Sequence, residues 1–204
     1  GADTVSASNS FSYKYSLGSL QGGNSSTSFQ NAIGTNSFAW GTNVRANATN
    51  AFALGSGNLS SGAQSMTWGG TGNSASGVAS TSFGFSNIAS GDRATVWGNT
   101  NTATAAESTA WGNANTATDQ FATAWGQSST ASGVKSTAWG SGTASTGLES
   151  TSWGGSTTSS GIRSTAFGIG TNAVGSDSLS FGNTSTANGV QSVAGGDTTI
   201  ANGD

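Results

Sequence analysis

A large apolar residue followed by glycine recurs along most of the chain at a fixed spacing. Eleven intervals separate these positions; ten are 14 residues long and one is 15. A strict period of this kind indicates a repeat architecture in which each repeat stacks on the next. We call these positions the landmark column; it consists of Trp40, Leu54, Trp68, Phe83, Trp97, Trp111, Trp125, Trp139, Trp153, Phe167, Phe181 and Gly195.

Small and larger residues alternate just before each landmark, as in Ser136-Thr137-Ala138-Trp139-Gly140. In a strand, alternate side chains lie on opposite faces, so Ser and Ala share one face while Thr and Trp share the other. Glycine recurs twice per repeat among Ser, Thr and Asn, which argues against helix. The pattern predicts an all-β parallel β-solenoid with two strands per coil of 14 residues. Its interior would hold Ala, Ser and Gly, and the landmark side chains would point outward.

The one long interval and the N-terminal segment depart from the period. The extra residue falls within 69–77, where a bulge would absorb it. Phe11, Tyr13, Tyr15 and Leu17 alternate with polar residues and predict a strand, and 22–26 resembles a loop. We interpret 1–39 as a cap strand and loop over the open end of the solenoid, and 40–204 as one continuous repeat domain. A separate ligand site in 1–39 is the alternative.

The position two residues before each landmark faces the same side as the landmark. This partner column carries Thr in the middle of the chain and bulkier residues, such as Phe38 and Val193, towards its ends. The volumes look compensated, since Thr accompanies Trp and Val193 accompanies Gly195. Monomers rarely expose so long an apolar stripe, and an Ala/Ser interior buries little apolar area. We therefore expect self-association through Phe38, Trp40, Phe52, Leu54, Met66, Trp68, Phe83, Trp97, Trp111, Trp125, Trp139, Trp153, Phe167, Leu179, Phe181 and Val193.

Charged residues are rare, and several of them share one position, four residues before the landmark. Apart from Phe121 in the middle, the signs alternate along this charge column: Arg93, Glu107, Lys135, Glu149, Arg163 and Asp177. Stacked coils would place successive members about 4.8 Å apart. We predict an exposed ladder of opposite charges that favours the correct register of the coils. The alternative is a solubility column whose signs alternate by chance.

Composition narrows the chemistry that the chain can perform. The 204 residues include no Cys and no His, so thiolate chemistry and the commonest general base are missing. Asp92, Asp119 and Asp197 are best interpreted as turn formers. We expect no enzyme activity, no cofactor and no metal site.

Five scattered basic residues do not favour nucleic acid as a partner, and no apolar run is long enough to span a membrane. The chain does not begin with Met, so we expect an excised fragment.

The repeat resembles the head domain of trimeric autotransporter adhesins of the Yersinia-adhesin type. The resemblance covers about 32–204 and is carried by 189–196 (Gly-Val-Gln-Ser-Val-Ala-Gly-Gly), by 136–140, and by the Ala-x-Gly segments 131–133, 173–175 and 187–189. It implies a left-handed parallel β-roll and a homotrimer in which the larger residues face the trimer centre. The chain differs from the family in carrying Trp where a small aliphatic residue is usual.

The resemblance also implies a function and a location. The function is non-catalytic adhesion to host extracellular matrix, to cells or to abiotic surfaces. The location is the surface of a Gram-negative bacterium, where the chain would be the passenger region of an outer-membrane protein. Contact with the membrane would come only through an anchor outside this fragment. No ligand-binding residues can be carried over from the family; we expect binding on the polar outer strands and turns.

Two other functions remain open. An ice-binding solenoid is suggested by the unbroken Thr positions of the partner column, from Thr81 to Thr165. A phage fibre segment would be an equally rigid trimer.

Overall fold

The computed structural model describes residues 10–14, 17–23 and 33–203. The chain forms two compact units, Gly1–Thr100 and Asn101–Asp204. Each coil consists of a long strand, a turn, a short strand of two residues and a second turn. This confirms the predicted two-strand coil and the parallel β-solenoid.

In the first unit, successive long strands pair in parallel, and so do successive short strands. The landmarks pair in register, for example Trp40 with Leu54 and Phe83 with Trp97. The strands are β1 Ser10–Lys14, β2 Ser19–Gly23, β3 Phe38–Thr42, β4 Arg45–Ala46, β5 Phe52–Ser56, β6 Leu59–Ser60, β7 Met66–Thr71, β8 Ser74–Ala75, β9 Thr81–Phe85, β10 Ile88–Ala89 and β11 Thr95–Asn99.

The second unit repeats this arrangement without interruption. Trp111, Trp125, Trp139 and Trp153 pair along successive long strands, and the paired residues of these strands lie 14 positions apart. The strands are β12 Thr102–Ala103, β13 Thr109–Asn113, β14 Thr116–Ala117, β15 Thr123–Gln127, β16 Thr130–Ala131, β17 Thr137–Ser141, β18 Ala144–Ser145, β19 Thr151–Gly155, β20 Thr158–Ser159, β21 Thr165–Ile169, β22 Asn172–Ala173, β23 Leu179–Asn183, β24 Thr186–Ala187, β25 Val193–Asp197 and β26 Ile200–Ala201.

The interior of each coil is filled by small side chains, as the alternation predicted. Ala110, Ala124 and Ala138, one residue before their landmarks, are fully buried, while the landmarks themselves are exposed. Ser80 and Ser164, three residues before theirs, are also buried. Each of these two hydroxyls donates to the carbonyl oxygen of the glycine three residues earlier, at 2.7 Å. The hydroxyls of Ser65, Ser150 and Ser178 at the same position have no such partner, so serine closes the turn from inside the coil in only some of the coils.

The interior also contains a column of asparagines that the sequence analysis did not predict. Asn58, Asn87, Asn101 and Asn115, four residues after their landmarks, are fully buried, and so is Asn73, which is five residues after Trp68 because of the extra residue in β7. In the first unit, the Asn73 side-chain amide donates to Asn58 Oδ1 at 3.1 Å and to the Gly84 carbonyl at 2.8 Å. The interior is therefore partly a hydrogen-bonded amide column, and the prediction of Ala, Ser and Gly alone was incomplete.

The glycine after each landmark is required by two separate constraints. Gly140 has a φ of 137°, which L side chains rarely adopt, and a Cβ there would lie 1.9 Å from the carbonyl oxygen of Gly154 on the next coil. The turn residue four positions before each landmark also has a positive φ, near 56° at Lys135 and 57° at Glu149. The charge column therefore lies on left-handed turn residues.

The departures from the period can now be located. The extra residue makes β7 one residue longer than its neighbours, and the pairing shifts so that Ser56 faces Thr71, which confirms the predicted bulge. The N-terminal strand covers Ser10–Lys14 and pairs antiparallel with β2. It is shorter than predicted, since Leu17 lies in the turn before β2. Tyr15 lies outside the described residues.

The loop predicted for 22–26 was wrong at its start. Gly22 and Gly23 belong to β2, which pairs in parallel with β3. Glycine suits these positions because a Cβ on Gly22 would meet the Trp40 ring at 2.4 Å. Asn24, Ser25 and Ser26 lie outside the described residues. The division into 1–39 and 40–204 stays a prediction.

Candidate interaction surfaces

The aromatic landmarks of the second unit form a continuous ring stack. The ring centroids of Trp111 and Trp125 are 5.0 Å apart at 2°, those of Trp125 and Trp139 are 4.8 Å apart at 0°, and those of Trp139 and Trp153 are 5.1 Å apart at 8°. Parallel strand pairing places equivalent side chains at about this spacing. The ring faces are therefore occupied by neighbouring rings, and the stack presents ring edges to solvent.

The landmarks of the first unit are less regular. Phe83 is tilted by 52° against Trp68 and by 42° against Trp97, whereas Phe38 and Phe52 of the partner column stack at 4.9 Å. All of these residues lie on the outer face of the long-strand sheet. In both units the predicted interface residues therefore share one face, although nothing in the structure shows what covers it.

The landmark column ends at Gly195, which has no side chain to continue the stack. A Cβ on Gly195 would lie 2.1 Å from Phe181 Cζ, so the ring of the preceding coil fills the space above this glycine. Val193, proposed above as the compensating residue, remains 61 % exposed. The pairing of Val193 with Gly195 concerns a packed interface between chains and stays a prediction; within the chain, the space above Gly195 is filled from the preceding coil.

The charge column forms ion pairs between neighbouring coils of the second unit. Lys135 Nζ lies 3.4 Å from Glu149 Oε1, and the Arg163 guanidinium donates two hydrogen bonds to Asp177, at 2.6 and 2.8 Å. The hydrogen bond from Arg163 holds the pKa of Asp177 below its ordinary value of 3.8 and raises the pKa of Arg163. Arg93 lies in the first unit and Glu107 in the second. The role of the column in register stays a prediction.

Asp92 lies in a turn as predicted, whereas Asp197 is the last residue of β25, and both accept hydrogen bonds from a neighbouring coil. Asp92 Oδ1 accepts a hydrogen bond from the Val78 backbone N–H at 2.9 Å, and Asp197 Oδ1 accepts one from the Asn183 side chain at 3.0 Å. Among the described residues, no group of three or more His, Cys, Asp or Glu could hold a metal ion. The described residues also contain no helix that is long and apolar enough to span a membrane.

A second exposed face was not predicted. In the second unit, residues five and seven positions after a landmark point outward on either side of a buried residue such as Ala103, Ala117 or Ala131. We call this set the hydroxyl face: Thr102, Thr116, Thr130, Thr158 and Thr186 in one column, which Ala144 and Asn172 interrupt, and Thr104, Thr118, Ser132, Thr146 and Ser160 in the other, which ends before Val174. The recurring Thr-Ala-Thr segments are the signal that could have revealed it.

Comparison with known families agrees with this architecture. The sequence profile of the YadA head domain repeat matches residues 75–101, 120–143, 145–171, 159–185 and 173–199, which together make up more than half of the chain. No curated protein matches the chain. The matched segments include Trp125, Trp139 and Trp153 and every member of the charge column except Glu107, whereas Trp111 lies outside them. The chain therefore belongs to the YadA head domain family of trimeric autotransporter adhesins.

Proposed function

We propose that the chain is the non-catalytic head of a bacterial cell-surface adhesin that forms a homotrimer and attaches polyvalently to host matrix, cells or abiotic surfaces. The family suggests an adhesin-type function and implies a cell-surface location, and it is non-enzymatic in general. The trimer, the left-handed coil and an outer-membrane anchor outside this chain belong to the proposal.

The observation that carries the proposal is the exposed, edge-on aromatic stack. Trp125 is 39 % exposed and Trp153 is 56 % exposed, in a column of outward-facing rings. A stripe of this extent is rare on a monomer and is typical of protein–protein contacts. Because the ring faces are already stacked, the column offers little flat surface for a sugar ring. Burial of the ring edges against two further copies would remove the stripe from water.

Polyvalency explains how such a head would adhere without a deep pocket. A rigid trimer presents the same outer surface three times, and each coil repeats similar side chains. Once one contact forms, the others act at high effective concentration, so that many weak contacts together give firm attachment. The polar short-strand side and the turns would make these contacts, since the aromatic side is used between chains.

The molar mass in solution tests the trimer. We expect light scattering to give three times the chain mass of 19.8 kDa. Trp125→Asp should lower this mass, because it places a charge among the stacked rings. Thr118→Asp, on the short-strand side, is the matched control and should leave the mass unchanged. A monomeric wild-type chain would contradict the proposal.

Attachment is tested with the same variants. Beads coated with wild-type protein should adhere to extracellular matrix or plastic more firmly than beads coated with Trp125→Asp, because the variant presents single heads. Equal adhesion by a folded monomeric variant would show that trimer formation does not support attachment.

A further inference from the structure

We propose that the hydroxyl face of the second unit binds the surface of ice. The inference rests on the proposed adhesin function and names the surface to which the head attaches. It also moves the ice-binding hypothesis from the partner column to the opposite sheet. On the partner column, Thr123 and Thr137 share their face with the tryptophan rings, which stand above any flat plane.

The backbone sets a regular two-dimensional spacing on the hydroxyl face. Thr102 pairs with Thr116 and Thr116 with Thr130, so the hydroxyls repeat about 4.8 Å apart along the coils. Residues two apart in a strand lie about 6.7 Å apart. The second column is held in the same ladder, because the Thr104 N–H donates to Ala117 at 3.0 Å and the Thr118 N–H to Ala131 at 3.0 Å. Prism planes of hexagonal ice present uncharged oxygen rows at comparable spacings.

The hydroxyls of this face are available to a ligand. Within the described residues, the side chains of Thr104, Thr116, Thr118 and Thr130 make no hydrogen bond to protein groups. Each of these hydroxyls must therefore bond to water. Because neighbouring hydroxyls recur at a fixed distance, they arrange the bound water in rows. Threonine is stiff at χ1, so little side-chain entropy is lost when the rows are fixed in a solid.

The fold does not require threonine at these positions. In the first unit, the equivalent positions at the start of the short strands hold Arg45, Leu59, Ser74 and Ile88. The second unit also carries Ala144 and Asn172 at this position, so the hydroxyls are not needed to close the coil. This contrasts with the buried Ala103 beside it, where the interior admits only a small side chain.

Charge complementarity favours an uncharged partner. None of the residues of the hydroxyl face is charged, while Lys135, Glu149, Arg163 and Asp177 lie together on a turn. A phosphate-rich or sulfated polymer would need basic residues, and a crystalline polysaccharide would favour exposed aromatic faces. A neutral array of methyl and hydroxyl groups fits neutral, ordered water. Each contact is weak, and its repetition over the coils gives the affinity.

Partition into growing ice tests the inference. We expect wild-type protein to be enriched several-fold in a slowly grown ice ball relative to the remaining liquid, and to facet ice crystals. Thr118→Tyr places a ring above the centre of the face and should reduce the enrichment several-fold. Gln127→Tyr, exposed on the long strand of the next coil, is the matched control and should partition as the wild type does.

The outcomes separate this inference from the proposed function. Melting temperature and molar mass must be unchanged in Thr118→Tyr, so that its loss of partition reflects the face and not the fold. A trimeric wild type that adheres to other surfaces but is not enriched in ice overturns the inference alone. Equal enrichment of Thr118→Tyr and wild type also overturns it. A monomeric wild type contradicts the proposed function instead.

Discussion

At the residue scale, two glycines of one coil serve different purposes. Gly140 lies against the next coil, and its missing Cβ makes room for the carbonyl oxygen of Gly154. Gly142 has a φ of 66°, but a Cβ there would meet nothing closer than 3.7 Å. Ala114 has the equivalent position in another coil with a φ of 57°. A side chain at position 140 would collide with the next coil, whereas a side chain at position 142 is disfavoured only by the left-handed backbone conformation.

Substitution of each glycine by alanine separates these effects. Gly142→Ala should destabilise the chain by about 1 kcal/mol, the cost of a left-handed non-glycine residue. Gly140→Ala should cost more than about 4 kcal/mol, because the coils must move apart. Thermal unfolding followed by circular dichroism measures both. Similar melting temperatures for the two variants would refute the distinction.

A second prediction at this scale concerns the ion pair of Arg163 and Asp177. The pKa of Asp177 lies below its ordinary value of 3.8 in the folded chain. The ion pair therefore stabilises the folded chain at pH values above 3.8. This contribution is lost as the pH falls from 3.8 to the lower pKa that Asp177 has in the folded chain. Asp177→Asn should melt lower than wild type near neutral pH, with the difference vanishing in acid. Because the pair is exposed, we expect the difference to be small and reduced by salt. A difference that persists in acid would point to another cause.

At the element scale, the amide column joins successive coils through their interior. The side-chain oxygen Oδ1 of Asn73 accepts hydrogen bonds from the backbone N–H and the side-chain amide of Asn87, both at 3.2 Å. Its amide group donates to Asn58 and Gly84. One side chain thus satisfies buried polar groups of three coils.

Removal of this amide should destabilise the first unit strongly. Asn73→Ala leaves several buried donors and acceptors without partners, and we expect a loss of about 2–4 kcal/mol. Asn47→Ala is the control, since Asn47 is exposed and should change stability by less than about 0.5 kcal/mol. Hydrogen exchange and melting temperature report the effect. If both variants melt alike, the amide column does not stabilise the unit.

The parts of the fold that the sequence predicted are those that depend on alternation. The outward direction of Trp139 and the burial of Ala138 follow directly from the strand period. Asn73 was missed because asparagine next to a turn usually forms the turn, and its burial emerges only once two short strands close the coil. The contact of Phe181 with Gly195 joins two coils, so no pattern within one repeat could reveal it. The hydroxyl face was missed because strands of two residues show too little alternation.

At the scale of the whole molecule, the thin interior predicts that the proposed trimer formation contributes to stability. The buried apolar side chains are almost all alanine, so each unit gains little from its own core. We therefore expect the melting temperature of the wild type to rise with protein concentration, because folding and trimer formation are coupled. Trp125→Asp should melt lower, with no dependence on concentration. A wild-type melting temperature independent of dilution would show that the single chain is stable by itself.

The equal register of neighbouring coils in the second unit has a consequence for inheritance. The paired residues of its neighbouring strands lie 14 positions apart, so loss or duplication of one whole repeat returns each side chain to its own column. Copying errors between near-identical gene segments would thus alter the reach of the head in steps of about 4.8 Å without a new fold. A change of any other length would turn inward-facing residues outward, unless a bulge like that of β7 absorbs it. The repeat itself makes length the most easily varied property of this surface.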